Sequence, residues 1–148
     1  MPVFLDDQQE LEVDGDDLTA LATFVLREQR VPEDMEVSLL LVDEYTMAEL
    51  NEEYMAAEGP TDVLAFPIDE PSAPPLEEPA ILGDVVLCPA VAARQAADRD
   101  RDTADEVRLL TVHGLLHLLG MDHAEPEEER EMFALTDELL AGFARRTG

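Results

Sequence analysis

Lysine is absent from this 148-residue chain, and arginine supplies all nine of its basic side chains. Aspartate and glutamate together number 36, so the formal net charge is -27 at pH 7. Such a charge repels phosphate at long range, which excludes a protein that binds nucleic acid through a broad basic surface. Any nucleic-acid role would need a local positive site, formed by a few arginines or by a metal ion.

Cysteine is also scarce, because Cys88 is the only one in the chain. A scaffold held by disulfides is therefore excluded, and we expect no disulfide-linked partner. No apolar run approaches the roughly 18 residues that a membrane span needs, so we expect no membrane association. The first ten residues contain neither a basic segment nor a long apolar run. We therefore expect no secretory signal and a soluble, cytoplasmic protein.

The hydrophobic fraction is ordinary for a globular protein, at 46%. That content excludes a disordered acidic tail, which lacks the apolar residues needed to fold. The length suits one domain, residues 1–148, built around one core.

Hydrophobic periodicity predicts four strands and five helices. Strands are expected at 3–5, 35–42, 62–68 and 81–88, and helices at 16–28, 45–56, 90–99, 102–119 and from 126 onward. The strand at 35–42 is apolar on both faces late in its length, which is typical of a central strand. The order of elements predicts an α/β or α+β fold, with helices packed on a sheet of about four strands.

Residues 67–80 hold five of the ten prolines in the chain. Proline lacks an amide donor and fixes φ, so this segment is predicted to be a loop. Loops of this length in a small protein are usually functional or disordered. We expect a mobile flap, with disorder lacking a function as the alternative.

All three histidines of the chain fall in one short segment, VHGLLHLLGMDH at residues 112–123. His113 and His117 are four residues apart, so on a helix their rings lie on one face, one turn apart. Gly120 can end that helix, since glycine tolerates the left-handed conformation found there. The chain can then turn back, so that His123 supplies a third nitrogen from outside the helix.

Three neutral imidazoles suit zinc and leave a fourth coordination position for water. Structural zinc sites usually have four protein ligands and favour cysteine, so the pattern predicts a catalytic site with one zinc ion per chain. The alternative is that these histidines pack among the flanking leucines or face solvent, because two histidines four apart are a weak signal alone.

The residue after His113 is Gly114, where the HExxH peptidase motif carries its glutamate base. A peptidase of that type is therefore disfavoured, and the base must come from elsewhere. Asp122 precedes the third histidine and could orient a ligand imidazole. The other candidate carboxylates are Asp62, Asp84 and Glu106, although Glu106 lies two helical turns from His113. For any single acid in so acidic a chain, a solvated surface position is the expected role.

The segment HGLLHLLGMDH resembles the signature of the YbeY family of metal-dependent endoribonucleases. Further similar segments follow in the family order: LNEEY at 50–54, PTDVLAFP at 60–67 and LGDVVL at 82–87. Gln95 and Glu106 also fall where the family pattern has them. The resemblance covers roughly residues 45–140, and motifs in this order are specific.

The resemblance implies a compact fold with a mixed four-stranded sheet, similar to a zincin core, in which His113, His117 and His123 are the zinc ligands and the catalytic residues. It further implies cleavage of single-stranded RNA in maturation of the small-subunit ribosomal RNA 3′ end and in ribosome quality control. The protein would be cytoplasmic, and its partners would be ribosomal RNA and the small ribosomal subunit or its proteins.

The chain departs from the family pattern near its predicted substrate site. Many members carry arginine after the tyrosine of the LNEEY segment, where it is thought to contact RNA phosphate, and this chain has Met55. Ala65 and Cys88 stand where serine is common. Arg94 and Arg108 are our candidates for RNA binding, among the arginines that remain near the motif: Arg94, Arg99, Arg101 and Arg108.

Two other functions stay open at this point. One is a metal hydrolase acting on a peptide or a small amide. The other is a ribosome-assembly factor whose metal ion is structural, which predicts that loss of a ligand unfolds the protein. The spacing identifies neither the nucleophile, which could be water or a ribose hydroxyl, nor the general base.

Overall fold

The computed structural model describes residues 1–71, 80–122 and 124–147. In these ranges every predicted element is present, with ends within two residues of the prediction. The elements are β1 (Val3–Asp7), α1 (Gly15–Glu28), β2 (Glu36–Leu41), α2 (Glu44–Met55), β3 (Val63–Pro67), β4 (Ile81–Leu87), α3 (Pro89–Asp98), α4 (Thr103–Leu118) and α5 (Pro126–Thr147). Most of the predicted loop, residues 72–79, lies outside the described residues.

The strands form one mixed sheet in the order β1-β2-β4-β3. Strand β2 pairs in parallel with β1 and with β4, whereas β3 pairs with β4 in the antiparallel direction. The central position predicted for the strand at 35–42 is confirmed, because β2 has a neighbour on each side. Strand β3 is at one edge of the sheet, and that position matters for the site.

Alternation along β2 divides the apolar side chains between the two faces of the sheet. Val37, Leu39 and Leu41 are buried in the main core, where α1 and α4 pack and where α5 adds Met132. On the other face a smaller cluster forms around Met47 of α2. Helix α4 thus lies against the sheet, near β3 and β4.

Cys88 belongs to the smaller cluster and is fully buried. Burial raises the pKa of its thiol above the usual value, since the thiolate would lose solvation. The side chain therefore acts as a small apolar residue at the start of α3. In the part of the chain described here, no helix combines the length and apolarity needed to cross a bilayer.

Aspartate side chains cap the starts of two helices. Asp14 accepts a hydrogen bond from the Asp17 N–H at the start of α1, and Asp43 accepts one from the Thr46 N–H at the start of α2. The second bond lowers the pKa of Asp43, because it stabilises the ionised carboxylate. These caps satisfy amides that would otherwise lack partners, so local sequence alone sets these helix starts.

Candidate metal centre

Helix α4 carries His113 and His117 one turn apart on one face, as the four-residue spacing predicts. Both side chains are half-buried. The neighbouring Leu115 and Leu116 are fully buried in the main core and fix the rotation of the helix against the sheet. The apolar residues between the histidines therefore determine where the two rings lie.

The helix ends at a left-handed glycine, as predicted for Gly120, which has φ of 94°. Its N–H donates to the His117 carbonyl oxygen at 3.0 Å, and the Met121 N–H donates to the Leu116 carbonyl oxygen at 3.0 Å. This pair of bonds is a Schellman motif, which reverses the chain and stops the helix sharply. Met121 and Asp122 thereby lie back beside the end of α4.

The third predicted ligand, His123, lies outside the described residues. Over the ranges 1–71, 80–122 and 124–147, no group of three histidine, cysteine, aspartate or glutamate side chains has the arrangement of a metal site. Two of the three predicted ligands are therefore on one helix face, and the three-histidine site stays a prediction.

The two imidazoles have different surroundings. The His113 ring meets the Phe133 ring of α5 edge-on, with centroids 5.1 Å apart, and its Nε2 atom is buried. His117 instead lines an open groove of about 430 Å³, next to strand β3. His113 thus packs against α5, while His117 borders the open groove.

The groove is lined by residues of α2, β3, α4 and the turn after α4: Met55, Val63, Leu64, Ala65, Pro67, His117, Gly120, Met121 and Asp122. The family resemblance implied an RNA contact at the position of Met55, but sequence reasoning did not place the end of α2 or strand β3 beside the histidines. The LNEEY and PTDVLAFP segments were recognised, but periodicity does not reveal which strand borders α4.

Gly114, between the two histidines, is buried where α4 meets the sheet. A Cβ atom at this position would lie 2.5 Å from Val85 Cγ1 and 3.2 Å from Val63 Cγ2. The packing therefore leaves no room for a glutamate. The glutamate base of the peptidase motif is missing where α4 packs closely on the sheet. A simple substitution at this position could not restore that base.

We expect Gly114→Ala to destabilise the protein by about 1–2 kcal/mol, because crowding against two strands outweighs the gain in helix propensity. The matched control is Gly142→Ala in α5, where the nearest atom is Phe24 Cζ at 3.1 Å, on a ring that is only half-buried. Urea denaturation of both variants checks this. Equal stability of the Gly114 variant and the parent would show that α4 has room to move.

The carboxylates considered as bases are in different places. Asp122 is exposed and lines the groove with His117, so the role predicted for it, orienting a ligand imidazole, stays open. Glu106 is fully buried, where it accepts a hydrogen bond from Arg99 at 3.1 Å and lies 3.5 Å from Arg101 Nη1. These ion pairs hold the α3–α4 junction together, so Glu106 has a structural role.

The positions of Asp62 and Asp84 do not indicate a general base either. Asp62 accepts hydrogen bonds from the Val63 N–H at 2.7 Å and from Gln95 Nε2 at 3.2 Å, which holds the start of β3 against α3. Asp84 precedes Val85, whose side chain meets α4, so Asp84 faces the other side of the sheet. The general base stays unassigned.

Arg94 and Arg108 form ion pairs within the chain. Arg94 pairs with Glu44 of α2. Arg108 donates to both carboxylate oxygens of Asp17, at 2.7 and 3.1 Å, and this bond raises its pKa. Arg108 and His117 are nine residues apart on α4, so they point to roughly opposite sides of the helix. The structure does not bring Arg108 to the histidines, and RNA binding by either arginine stays a prediction.

Comparison with known proteins gives a consistent result. A family model described as Endoribonuclease YbeY matches residues 4–144. The chain is similar to proteins named Endoribonuclease YbeY in two bacteria. The Salinispora tropica protein is 54% identical over 97% of this chain and 96% of its own. The Thermobifida fusca protein is 51% identical over 98% and 96%.

One solved structure also resembles the fold. It is the solution structure of a Thermotoga maritima protein that is 27% identical to this chain. The match has a TM-score of 0.64 and covers 97% of this chain and 89% of that one. The four-stranded mixed sheet and its helices are thus a known arrangement.

Proposed function

The chain belongs to the endoribonuclease YbeY family, and on that basis we propose that it is a zinc-dependent endoribonuclease that cleaves single-stranded RNA. We further propose that its substrate is the 3′ end of small-subunit ribosomal RNA, during maturation and ribosome quality control. The observation that carries the proposal is the pair of imidazoles on one face of α4, with His117 open to the groove beside β3.

The donor set fits zinc. Two imidazoles lie one turn apart, and the Schellman motif at Gly120 turns the chain back toward them just before His123. Imidazole is a usual zinc ligand, and three such ligands leave one position for solvent or substrate. When bound, zinc would polarise a phosphoryl oxygen and bring the pKa of a coordinated water close to about 7.

The remaining chemistry belongs to the protein itself. The buried leucines of α4 and the ring of Phe133 hold the imidazoles in place, which limits the reorganisation that binding a metal requires. Asp122, at the edge of the groove, would accept an imidazole N–H and so fix which nitrogen faces the metal. The groove would receive the RNA strand on the side of His117.

The charge of the chain limits how the RNA is held. No arginine lines the groove within the described residues, and the net charge is -27. We therefore propose that the protein alone binds RNA weakly, with few phosphate contacts. The small ribosomal subunit or its proteins would supply the remaining affinity, which would place the activity in the cytoplasm.

The direct test is cleavage of single-stranded RNA by the purified protein, with a duplex of the same sequence as the control. We expect cleavage of the single strand alone, loss of activity with a chelator and recovery with added zinc. A 2′,3′-cyclic phosphate product would identify the ribose hydroxyl as the nucleophile. If the chelator unfolds the protein and no RNA is cleaved, the metal is structural and the assembly-factor alternative holds. Cleavage of casein with RNA left intact would assign a different substrate class.

A further inference from the structure

The groove beside His117 is mostly apolar. Met55 contributes a side chain that is 47% exposed, and Met121 lines the groove just after the Schellman turn. The only aspartate, glutamate, lysine or arginine in the described lining is Asp122. A second phosphate of an RNA strand would find no cation there, so the groove suits a neutral and flat part of a nucleotide.

The outer edge of β3 adds hydrogen-bonding groups to this apolar surface. The Cys88 N–H donates to the Asp62 carbonyl oxygen, and the Ile68 N–H donates to the Leu82 carbonyl oxygen. Even-numbered residues of β3 thus bond to β4, so the odd-numbered ones direct their N–H and C=O groups away from it. At the middle of the strand, Ala65 presents one donor and one acceptor on the side where the described residues place no further strand.

We propose that this groove is a nucleobase subsite, which binds one unstacked base of the RNA strand beside the phosphate that is cleaved. Met55 and Met121 would contact the base, and the N–H and C=O of Ala65 would bond to its polar edge. This inference rests on the proposed function and adds how the substrate is recognised.

Single-stranded RNA offers the matching chemistry. Its unstacked bases expose an apolar face and a polar edge, whereas a duplex hides both. Contacts to a base face do not depend on a positive surface, and no arginine lines this groove in the described part of the chain. The volume of the groove, about 430 Å³, lies within the roughly 300–1,000 Å³ that is usual for pockets holding small ligands. Continuity with His117 places the base next to the proposed cleavage site.

The test uses a series of RNA substrates that each carry one abasic ribose. The position of this ribose relative to the cleaved bond differs from one substrate to the next. With the parent protein we expect kcat/KM to fall by about tenfold at one position, as the loss of one base contact predicts. For intact RNA, the kcat/KM of Met55→Ala should be about tenfold lower than that of the parent. On that abasic substrate, kcat/KM of the variant should fall little further. Leu11→Ala is the matched control, because Leu11 is also 47% exposed but lies outside the groove.

Equal cleavage of every abasic substrate and intact RNA by the parent protein would overturn the subsite, while leaving the endoribonuclease function in place. The subsite would also be overturned if Met55→Ala and the abasic position lowered kcat/KM independently, so that the two reductions multiplied. Failure of the parent to cleave intact RNA would instead overturn the proposed function, and the subsite with it. Protection of the groove by an extended peptide, with no effect of RNA, would assign β3 to protein binding.

A second variant tests the backbone contact. Ala65→Pro removes the N–H that points away from β4 and leaves the β3–β4 ladder intact, which edge strands tolerate. Ala65→Ser keeps the N–H and is the control. We expect the proline variant to change the preference among the four bases at the abasic-sensitive position, and the serine variant to keep it. A folded proline variant with the parental preference would overturn the role of Ala65. If this variant fails to fold, the Met55 comparison still decides.

Discussion

His117→Ala is expected to lower kcat/KM for single-stranded RNA by more than about 100-fold while the protein stays folded. Residues that merely orient a metal ligand already contribute about 10–100-fold to metal affinity or activity, so a ligand should contribute more. The side chain is half-buried at the edge of a groove, so its removal leaves no large cavity in the core. Initial-rate kinetics, bound zinc and a melting curve check this together.

Two further variants separate metal binding from packing. His113→Ala should lose zinc and activity, and should also lose some stability, because its ring packs against Phe133. Phe133→Leu should keep bound zinc and most of the activity, since it removes only the ring contact. Full activity of His117→Ala would contradict the metal centre. Unfolding of His117→Ala on loss of zinc would favour a structural metal.

The second large effect concerns the buried Glu106. Removing both Arg99 and Arg101 is expected to destabilise the protein by about 3–5 kcal/mol, because a buried carboxylate would be left without a counter-charge. Glu106→Gln should be less harmful. The side chains of Arg99 and Arg101 are 57% and 37% exposed, whereas that of Glu106 is 0% exposed. The arginines can therefore turn to solvent, and the glutamate cannot.

Urea denaturation of the double variant and of Glu106→Gln tests this asymmetry. Arg27→Ala is the control, because Arg27 forms an ion pair with Glu33 in which both partners are exposed, and little change is expected. Greater damage from Glu106→Gln than from the double arginine variant would show that shape, and not charge, holds the α3–α4 junction.

The local features of the site could be predicted from the sequence. A spacing of four residues places His113 and His117 on one helix face whatever surrounds the helix, and Gly120 stops the helix through its own backbone freedom. The helix starts at Asp14 and Asp43 depend only on residues three positions away. The central position of β2 followed from its apolar faces, since only a strand covered on both sides needs them.

The contacts between distant segments could not be predicted in this way. Arg108 was a candidate for RNA binding, yet it pairs with Asp17, which is 91 residues away. The end of α2 approaches His117 because β3 lies at the sheet edge next to α4, and periodicity does not contain the strand order. Gly114 could be read as a missing base, but the strands that exclude a side chain there are visible only in the fold.

The central claim is that three imidazoles hold one zinc ion and leave a position open. X-ray absorption spectroscopy of the zinc-loaded protein measures this most directly. We predict one zinc per chain with three imidazole nitrogens and one further oxygen, all at about 2.0–2.1 Å. A sulfur scatterer at about 2.3 Å, or the same spectrum from His117→Ala, would contradict the account.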